Sequence, residues 1–315
     1  MTECFIGIDT SNYTTSAAIC TKDGEIVANL KIPLPVKAGE CGLRQSDAVF
    51  AHVKNLPAIM QRLNKELSGM KPLAIGVSAT PRPVEGSYMP CFLSGIAAAE
   101  SFAAAADIPL LRFSHQEGHI MAATYSAGAM HLLAREQFAA FHVSGGTTEV
   151  LLATPTARGF DIELFAATAD INAGQAIDRI GVMLGLQFPC GKELEKLAEK
   201  NDKKIPRSRI SVKDGYCNLS GLENMATKLL QESGDATLVA AFTQQFIAET
   251  LMAMTNELDA RIPSLPIVYA GGVMSNRYLQ SRLGKRENTY FAEPQFSADN
   301  AAGIALLCQK QFLKI

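Results

Sequence analysis

Two histidines one helical turn apart are the residues of this chain best placed to do chemistry. They stand in Ser114-His115-Gln116-Glu117-Gly118-His119. An apolar run, Ile108-Pro109-Leu110-Leu111, precedes them and reads as the end of a buried strand, while Ile120-Met121-Ala122-Ala123 after them reads as helix. Ser114 with Glu117 three residues on forms a capping box, which places the helix start here. His115 and His119 then share one helix face. Two neutral imidazoles so spaced can ligate one first-row metal ion. Two surface or capping histidines are the alternative. The zincin pattern is absent, because Gln116 stands where a glutamate would follow the first histidine.

Other short stretches carry the residue types of a ligand site. Phe5-Ile6-Gly7-Ile8-Asp9 reads as a strand, followed by the polar turn Thr10 to Thr15 and a returning strand, Ser16 to Cys20. Asp9 and Ser11 in this turn can meet phosphate or metal-phosphate through carboxylate, hydroxyl and backbone N–H groups, and a plain hairpin is the alternative. Ala140-Phe141-His142-Val143-Ser144-Gly145-Gly146-Thr147-Thr148 repeats the pattern of strand, small polar turn and returning strand. Its Gly145 and Gly146 allow close backbone approach to a ligand. Pro266 to Ala270 reads as a strand ending in Gly271-Gly272, with Val273 to Arg277 opening a helix, an arrangement suited to a nucleotide. Ser297 or Asp299 reads as the N-cap of a last apolar helix, Ala301 to Leu313.

The elements that must position these residues alternate. Lys22-Asp23-Gly24 turns into a third strand from Glu25, Ser46 to Leu67 reads as an amphipathic helix kinked or split at Pro57, and Leu73 to Ser78 as a core strand. Ile96 to Ala106 reads as a buried helix, because Glu100 and Asp107 break its apolar character. Such alternation predicts α/β layering. At 315 residues the chain is long enough for two domains. A net charge of −2 gives no global attraction to nucleic acid. Seven scattered cysteines, an odd number without a CxxC pair, fit reduced thiols rather than a disulfide framework. No stretch reaches the roughly 18 unbroken apolar residues of a membrane span, and the start lacks a signal-peptide pattern, so a cytoplasmic protein is expected.

Seven motifs in order, HQEGH, HVSGGTTEV, INAGQAIDRIGVMLGL, FPCGKELEKLA, NLSGLEN, AGGVMSNRYL and FSADNAAGIAL, resemble the TsaD family of tRNA adenosine threonylcarbamoyltransferases, within the actin-like ATPase superfamily. The resemblance implies an α/β fold of duplicated actin-like (ASKHA) domains with a cleft between them, residues 1–138 and 139–315, the last helix free to pack back on the first. It implies metal ligands at His115, His119 and Asp299, which would be the catalytic set, with His142 as a candidate fourth. It implies nucleotide contacts at His142, Val143, Ser144, Gly145, Gly146, Asp178, Gly191, Glu195, Gly271, Gly272 and Asn276, with Asp178 and Glu195 on ribose hydroxyls. The implied cofactors are one metal ion, Fe2+ first and Zn2+ second, and an adenine nucleotide or acyl-adenylate.

By the same resemblance the reaction moves a threonylcarbamoyl or related carbamoyl group to the N6 amine of adenosine in tRNA. The implied partners are tRNA, adenylate-forming and accessory proteins of the same pathway, and a paralogous actin-like subunit. Several positions depart from the family pattern. The first turn reads DTSNYTT where the family has ETSCDET, Thr147 replaces a histidine, Ala79 to Gly86 replaces a GPG turn, and Cys190 precedes Gly191 in place of glycine. The chain therefore reads as a divergent paralogue. A nucleotide-binding protein without transferase activity and a carbamoyltransferase with another acceptor are the alternatives. Asn201 to Lys213, with Lys203, Lys204, Arg207, Arg209 and Lys213 and no clear periodicity, reads either as a solvated loop or as a phosphate-contacting edge for tRNA.

Overall fold

The structure, a computed structural model, describes residues 1–11, 13–35, 43–297 and 301–314. Asn12, Cys41 and Asp299 therefore lie outside the described residues. The chain divides into two compact units. Unit 1 holds Met1–Ser126, Thr154–Asp161 and Gln295–Ile315, and unit 2 holds Ala127–Ala153 and Ile162–Pro294. A cut at 138/139 would place Ala127 to Phe138 with the first unit, whereas they pack with the second.

Unit 1 begins with β1 (Thr2–Asp9), β2 (Thr14–Thr21) and β3 (Ile26–Pro33), an antiparallel meander. Helix α1 (Gln45–Glu66) follows, unbroken through Pro57, then β4 (Met70–Thr80), α2 (Phe92–Ala106), β5 (Leu110–Ser114) and α3 (His115–Ser126). The sheet order is β3-β2-β1-β4-β5, with β1, β4 and β5 parallel. Helices α1 and α2 cover one face of this sheet, where Ile6, Ile8, Ile75 and Val77 meet Ile59, Leu63 and Ala99. The C-terminal helix, Ala302–Leu313, packs on β1, β2, β4 and α3.

That last packing is unusually close and explains two glycines. A Cβ on Gly7 would fall 2.5 Å from the Ala305 nitrogen, and one on Gly303 would fall 2.7 Å from the carbonyl carbon of Gly118. Backbone thus meets backbone at the start of the C-terminal helix. Ser297 does not supply the N-cap of that helix: the cap position is Ala301, and Ser297 ends a separate helical turn, Pro294–Ser297.

Unit 2 repeats the topology. It has β6 (Phe138–Val143), most of β7 (Thr148–Pro155) and of β8 (Phe160–Ala167), whose joined ends fall in unit 1, then α4 (Ala173–Met183), α5 (Gly191–Ala198), β9 (Ser211–Lys213), β10 (Tyr216–Asn218), α6 (Gly221–Ser233), α7 (Ala236–Arg261), β11 (Ile267–Ala270), α8 (Arg277–Leu283) and β12 (Thr289–Phe291). The main sheet runs β12-β11-β6-β7-β8, with β11 parallel to both β6 and β12, and β6 antiparallel to β7. The meander and two parallel strands of unit 1 are reproduced, as the paired sequence patterns near Phe5 and Ala140 predict. Helix α7 is buried along most of its length, because residues such as Phe242, Phe246, Leu251 and Met254 fill the core of this unit.

The six described cysteines are buried and none is in a disulfide. No helix among the described residues is long and apolar enough to cross a membrane.

Candidate functional site

The C-terminal ends of β1 and β5 bring chemistry together in unit 1. Strand β5 ends at Ser114 and α3 begins at His115 without an intervening loop. The capping box forms in full. Glu117 Oε2 accepts from the Ser114 N–H at 2.8 Å and the Ser114 hydroxyl at 2.7 Å, and the Glu117 N–H donates to Ser114 Oγ at 3.2 Å. Glu117 Oε1 also accepts from the Phe160 N–H at 3.3 Å, so this buried carboxylate is fully committed to structure.

His115 and His119 lie on one face of α3, with their Nε2 atoms 2.8 Å apart. Behind His115, its Nδ1 stands 2.7 Å from Asp9 Oδ2. Asp9 is 1% exposed, and its other oxygen accepts from the Ser11 N–H at 2.6 Å. Burial works against the charge on Asp9, but His115 and Ser11 outweigh it and keep the carboxyl below its ordinary range. An ionised carboxylate only accepts hydrogen bonds. His115 therefore donates from Nδ1, and in the neutral form of the ring the lone pair is on Nε2. That lone pair faces His119.

This arrangement fits a metal ion. Two imidazole nitrogens converge on one point, and a carboxylate behind the first fixes its tautomer, as metal-binding histidines require. Imidazole suits both iron and zinc. Asp9 sits on the far edge of the His115 ring and is no ligand itself. Among the described residues no cluster of three or more His, Cys, Asp or Glu converges on one such point. Asp299 lies outside the described residues.

The residues expected to meet a nucleotide lie in unit 2, except Asp9 and Ser11. Ser144, Gly145 and Gly146 form the turn after β6, where Ser144 Oγ accepts from the N–H groups of Gly146 and Thr147 at 3.2 and 3.1 Å. A Cβ on Gly145, Gly146, Gly191 or Gly272 would meet nothing, so each leaves space on the side where a side chain would stand. Gly271 has another task. Its φ is +100°, and a Cβ there would press on the carbonyl of Val143, so this glycine lets β6 and β11 approach each other. The first N–H groups of α4 are already used: Ala173 donates to Thr148 Oγ1, Gly174 to the Ser144 carbonyl, and Asn172 with Gln175 completes a capping box.

Asp178, on α4, holds the Cys190 N–H on Oδ1 at 2.8 Å, and burial raises its carboxyl against that bond. Glu195 Oε1 accepts from the Arg277 N–H at 2.7 Å, and Asn276 Oδ1 accepts from the Leu279 N–H at 3.0 Å, so both cap α8. The Asn276 amide also reaches Gln244 at 3.3 Å. The segment after Gly271-Gly272 is a 3-10 turn, Gly272–Ser275, rather than the start of a helix, and α8 itself is short. His142 is half-buried at the end of β6, opposite Glu149 and beside Ala270. Asp170 has a structural role that no sequence pattern signals. Its carboxylate accepts from Ile171, Leu219 and Ser220 and holds the start of α6.

Comparison with known proteins bears on this arrangement. A family model described as TsaD, tRNA N6-adenosine threonylcarbamoyltransferase, matches residues 37–306. The tRNA N6-adenosine threonylcarbamoyltransferase of Thermus thermophilus is 32% identical over 311 residues, spanning 96% of this chain and 90% of that protein. Its counterpart in Thermosipho africanus is 30% identical over 330 residues, spanning 98% and 94%. The crystal structure of T. kodakarensis HypF superposes with a TM-score of 0.63 at 12% identity, over 99% of this chain and 48% of HypF. That likeness shows the actin-like fold alone.

Proposed function

We propose that this chain, which belongs to the TsaD family of tRNA N6-adenosine threonylcarbamoyltransferases, moves a threonylcarbamoyl group from an acyl-adenylate to the N6 amine of adenosine in tRNA. The family match makes it a transferase acting in tRNA modification. The donor and the metal dependence are our reading, and one observation carries it: the paired Nε2 atoms of His115 and His119, with Asp9 behind.

In the reaction the N6 amine attacks the carbamoyl carbon of the mixed anhydride. The new N–C bond forms, the bond from that carbon to the phosphate oxygen breaks, AMP leaves with the electron pair, and the proton lost by the amine passes to water. His115 and His119, with Asp299 by family resemblance, would hold the metal. A divalent ion there, iron or zinc, would act as a Lewis acid on the acyl carbonyl, a contribution of several kcal/mol to the transition state, about 3 or more. Asp9 positions His115. The space beside Gly145, Gly146, Gly191 and Gly272 supports the reading that the adenylate binds along them, and the second oxygen of Asp178, whose first holds the Cys190 N–H, would meet a ribose hydroxyl.

The test incubates the purified chain with its pathway partners, threonylcarbamoyl-adenylate, Fe2+ or Zn2+, and unmodified tRNA. Digested tRNA is then read by mass spectrometry. Threonylcarbamoyl-adenosine in the digest of wild type, and its loss in His115→Ala, is the expected result. Consumption of the adenylate with no modified nucleoside in tRNA would point to another acceptor, consistent with the altered DTSNYTT turn and Thr147.

A further inference from the structure

The basic segment before β9 is built differently from a solvated loop. Residues 201–210 lack regular structure, yet they are anchored. Lys203 forms an ion pair with Asp235 at 2.7 Å, and Ser208 bonds to Glu249. Ile205, Ile210 and Val212 pack against the core of unit 2. From Ser208 to Lys213 the burial alternates residue by residue, with Ser208, Ile210 and Val212 inward and Arg209, Ser211 and Lys213 outward. Period two is strand geometry, so this end of the segment is periodic after all.

Strands β9 and β10 are joined by Asp214-Gly215, both at positive φ, 55° and 85°. This is the type I′ hairpin turn. It pairs Lys213 with Tyr216 across the ladder, and Ser211 with Asn218. Direct cross-strand partners share one face. The outward face therefore carries Arg209, Lys213 and the exposed ring of Tyr216, with Lys204 and Arg207 exposed just upstream. None of Lys204, Arg207, Arg209 and Lys213 is in an ion pair among the described residues, whereas Lys203 and Asp214 are. Four cations outside any ion pair among the described residues, on a chain of net charge −2, make a local anion-binding surface. Arg209 and Lys213 stand about 13 Å apart at roughly 3.3 Å per residue, far enough to engage two different phosphates of one strand.

We infer that this face binds an RNA strand, with Lys204, Arg207, Arg209 and Lys213 on backbone phosphates and one base stacked on Tyr216. Cations that track a backbone beside an exposed aromatic ring are the usual means of holding single-stranded nucleic acid. The inference rests on the tRNA reading above and assigns that substrate its contact surface. Lys203 is excluded from it, because its charge is spent on Asp235.

The experiment measures binding of labelled unmodified tRNA, and of single-stranded poly(U), to the full chain across a salt series with the pathway partners present. Wild type is expected to bind both with a steep log–log slope. Arg207→Gln with Arg209→Gln should flatten the slope by about 1.4, near 0.7 for each phosphate no longer neutralised. Tyr216→Ala should weaken binding about tenfold at every salt concentration, and Tyr216→Phe should restore it, because the ring rather than the hydroxyl stacks. Lys203→Gln should leave the slope unchanged. Adenine-nucleotide thermal shifts should be equal in all variants. Wild-type binding of tRNA with no change in the variants would overturn this surface and leave the tRNA acceptor standing. Binding of poly(U) through these residues without binding of tRNA would keep the surface and remove the acceptor. Binding of neither RNA, or only of phosphatidylserine vesicles, would overturn both.

Discussion

Asp9 Oδ2 and His115 Nδ1 are 2.7 Å apart, although 106 residues separate them along the chain. The carboxylate is almost wholly buried and the imidazole is one-fifth exposed, so the pair has an inner anchor and an outer working edge. Removing the anchor's charge should loosen metal binding without unfolding the protein. Asp9→Asn is expected to lower affinity for Co2+ or Zn2+ by about 10–100-fold, read by titration of the Co2+ absorption bands. Unchanged affinity would show that Asp9 does not orient His115.

The metal ligands themselves should behave more severely. His115→Ala and Asp299→Ala are each expected to reduce bound metal, measured by elemental analysis of the purified protein, to background. Far-ultraviolet circular dichroism should stay as in wild type. Full metal content in both variants would place the metal elsewhere.

Adenine nucleotide should stabilise the chain by mass action, by roughly 2.7 kcal/mol at a hundredfold excess over Kd. The Asp178→Ala variant should lose most of the corresponding shift in Tm. Part of any general destabilisation will come from the lost bond to the Cys190 N–H, so the comparison is between each protein with and without nucleotide. Equal shifts in variant and wild type would remove Asp178 from the nucleotide site.

Asp170 should make unit 2 sensitive to acid. Burial opposes its charge, but the N–H groups of Leu219, Ser220 and Ile171 and the Ser220 hydroxyl prevail and hold the carboxyl well below its usual range. A depressed folded pKa stabilises fully above the unfolded value, about 3.9, and the gain is lost as pH falls through the folded value. Asp170→Asn should therefore cost about 1 kcal/mol near pH 7, the scale of a lost helix cap. In urea titrations the difference from wild type should shrink below about pH 4. A difference that persists undiminished in acid would mean that the charge is not its source.

The crossing of α3 with the C-terminal helix tolerates no side chain. A Cβ on Gly303 would sit 2.7 Å from the carbonyl carbon of Gly118 and 3.0 Å from the Ala122 nitrogen. Gly303→Ala should destabilise by about 1–3 kcal/mol through overpacking, or by more if the helix must shift. It should also weaken metal binding, since Gly118 lies between the two histidines on α3. Stability equal to wild type in denaturant titrations would show that the helices separate at no cost.

What the sequence determined by itself is what one or two turns of chain can enforce. His115 and His119 share a face because the helix repeat puts residues four apart in line, and Ser114 with Glu117 starts that helix at the first histidine. The duplicated strand, turn and strand patterns near Phe5 and Ala140 predict two units of like topology, because alternation and turn residues are local signals. Asp214-Gly215 is a local turn signal too, but the period of two in the stretch before it shows only once β9 pairs with β10. Partners far apart in sequence were not legible. Asp9 meets His115 only because β1, β4 and β5 lie parallel and end together. Glu195 and Asn276 are nucleotide contacts by family resemblance alone, and the bonds they make to the Arg277 and Leu279 N–H groups and to Gln244, as α5 and α7 approach α8, have no local signal. Lys203 and Lys204 are adjacent and identical in type. The start of α7 brings Asp235 to one and leaves the other in solvent, and no local pattern separates them, because the deciding charge arrives from another element of the fold.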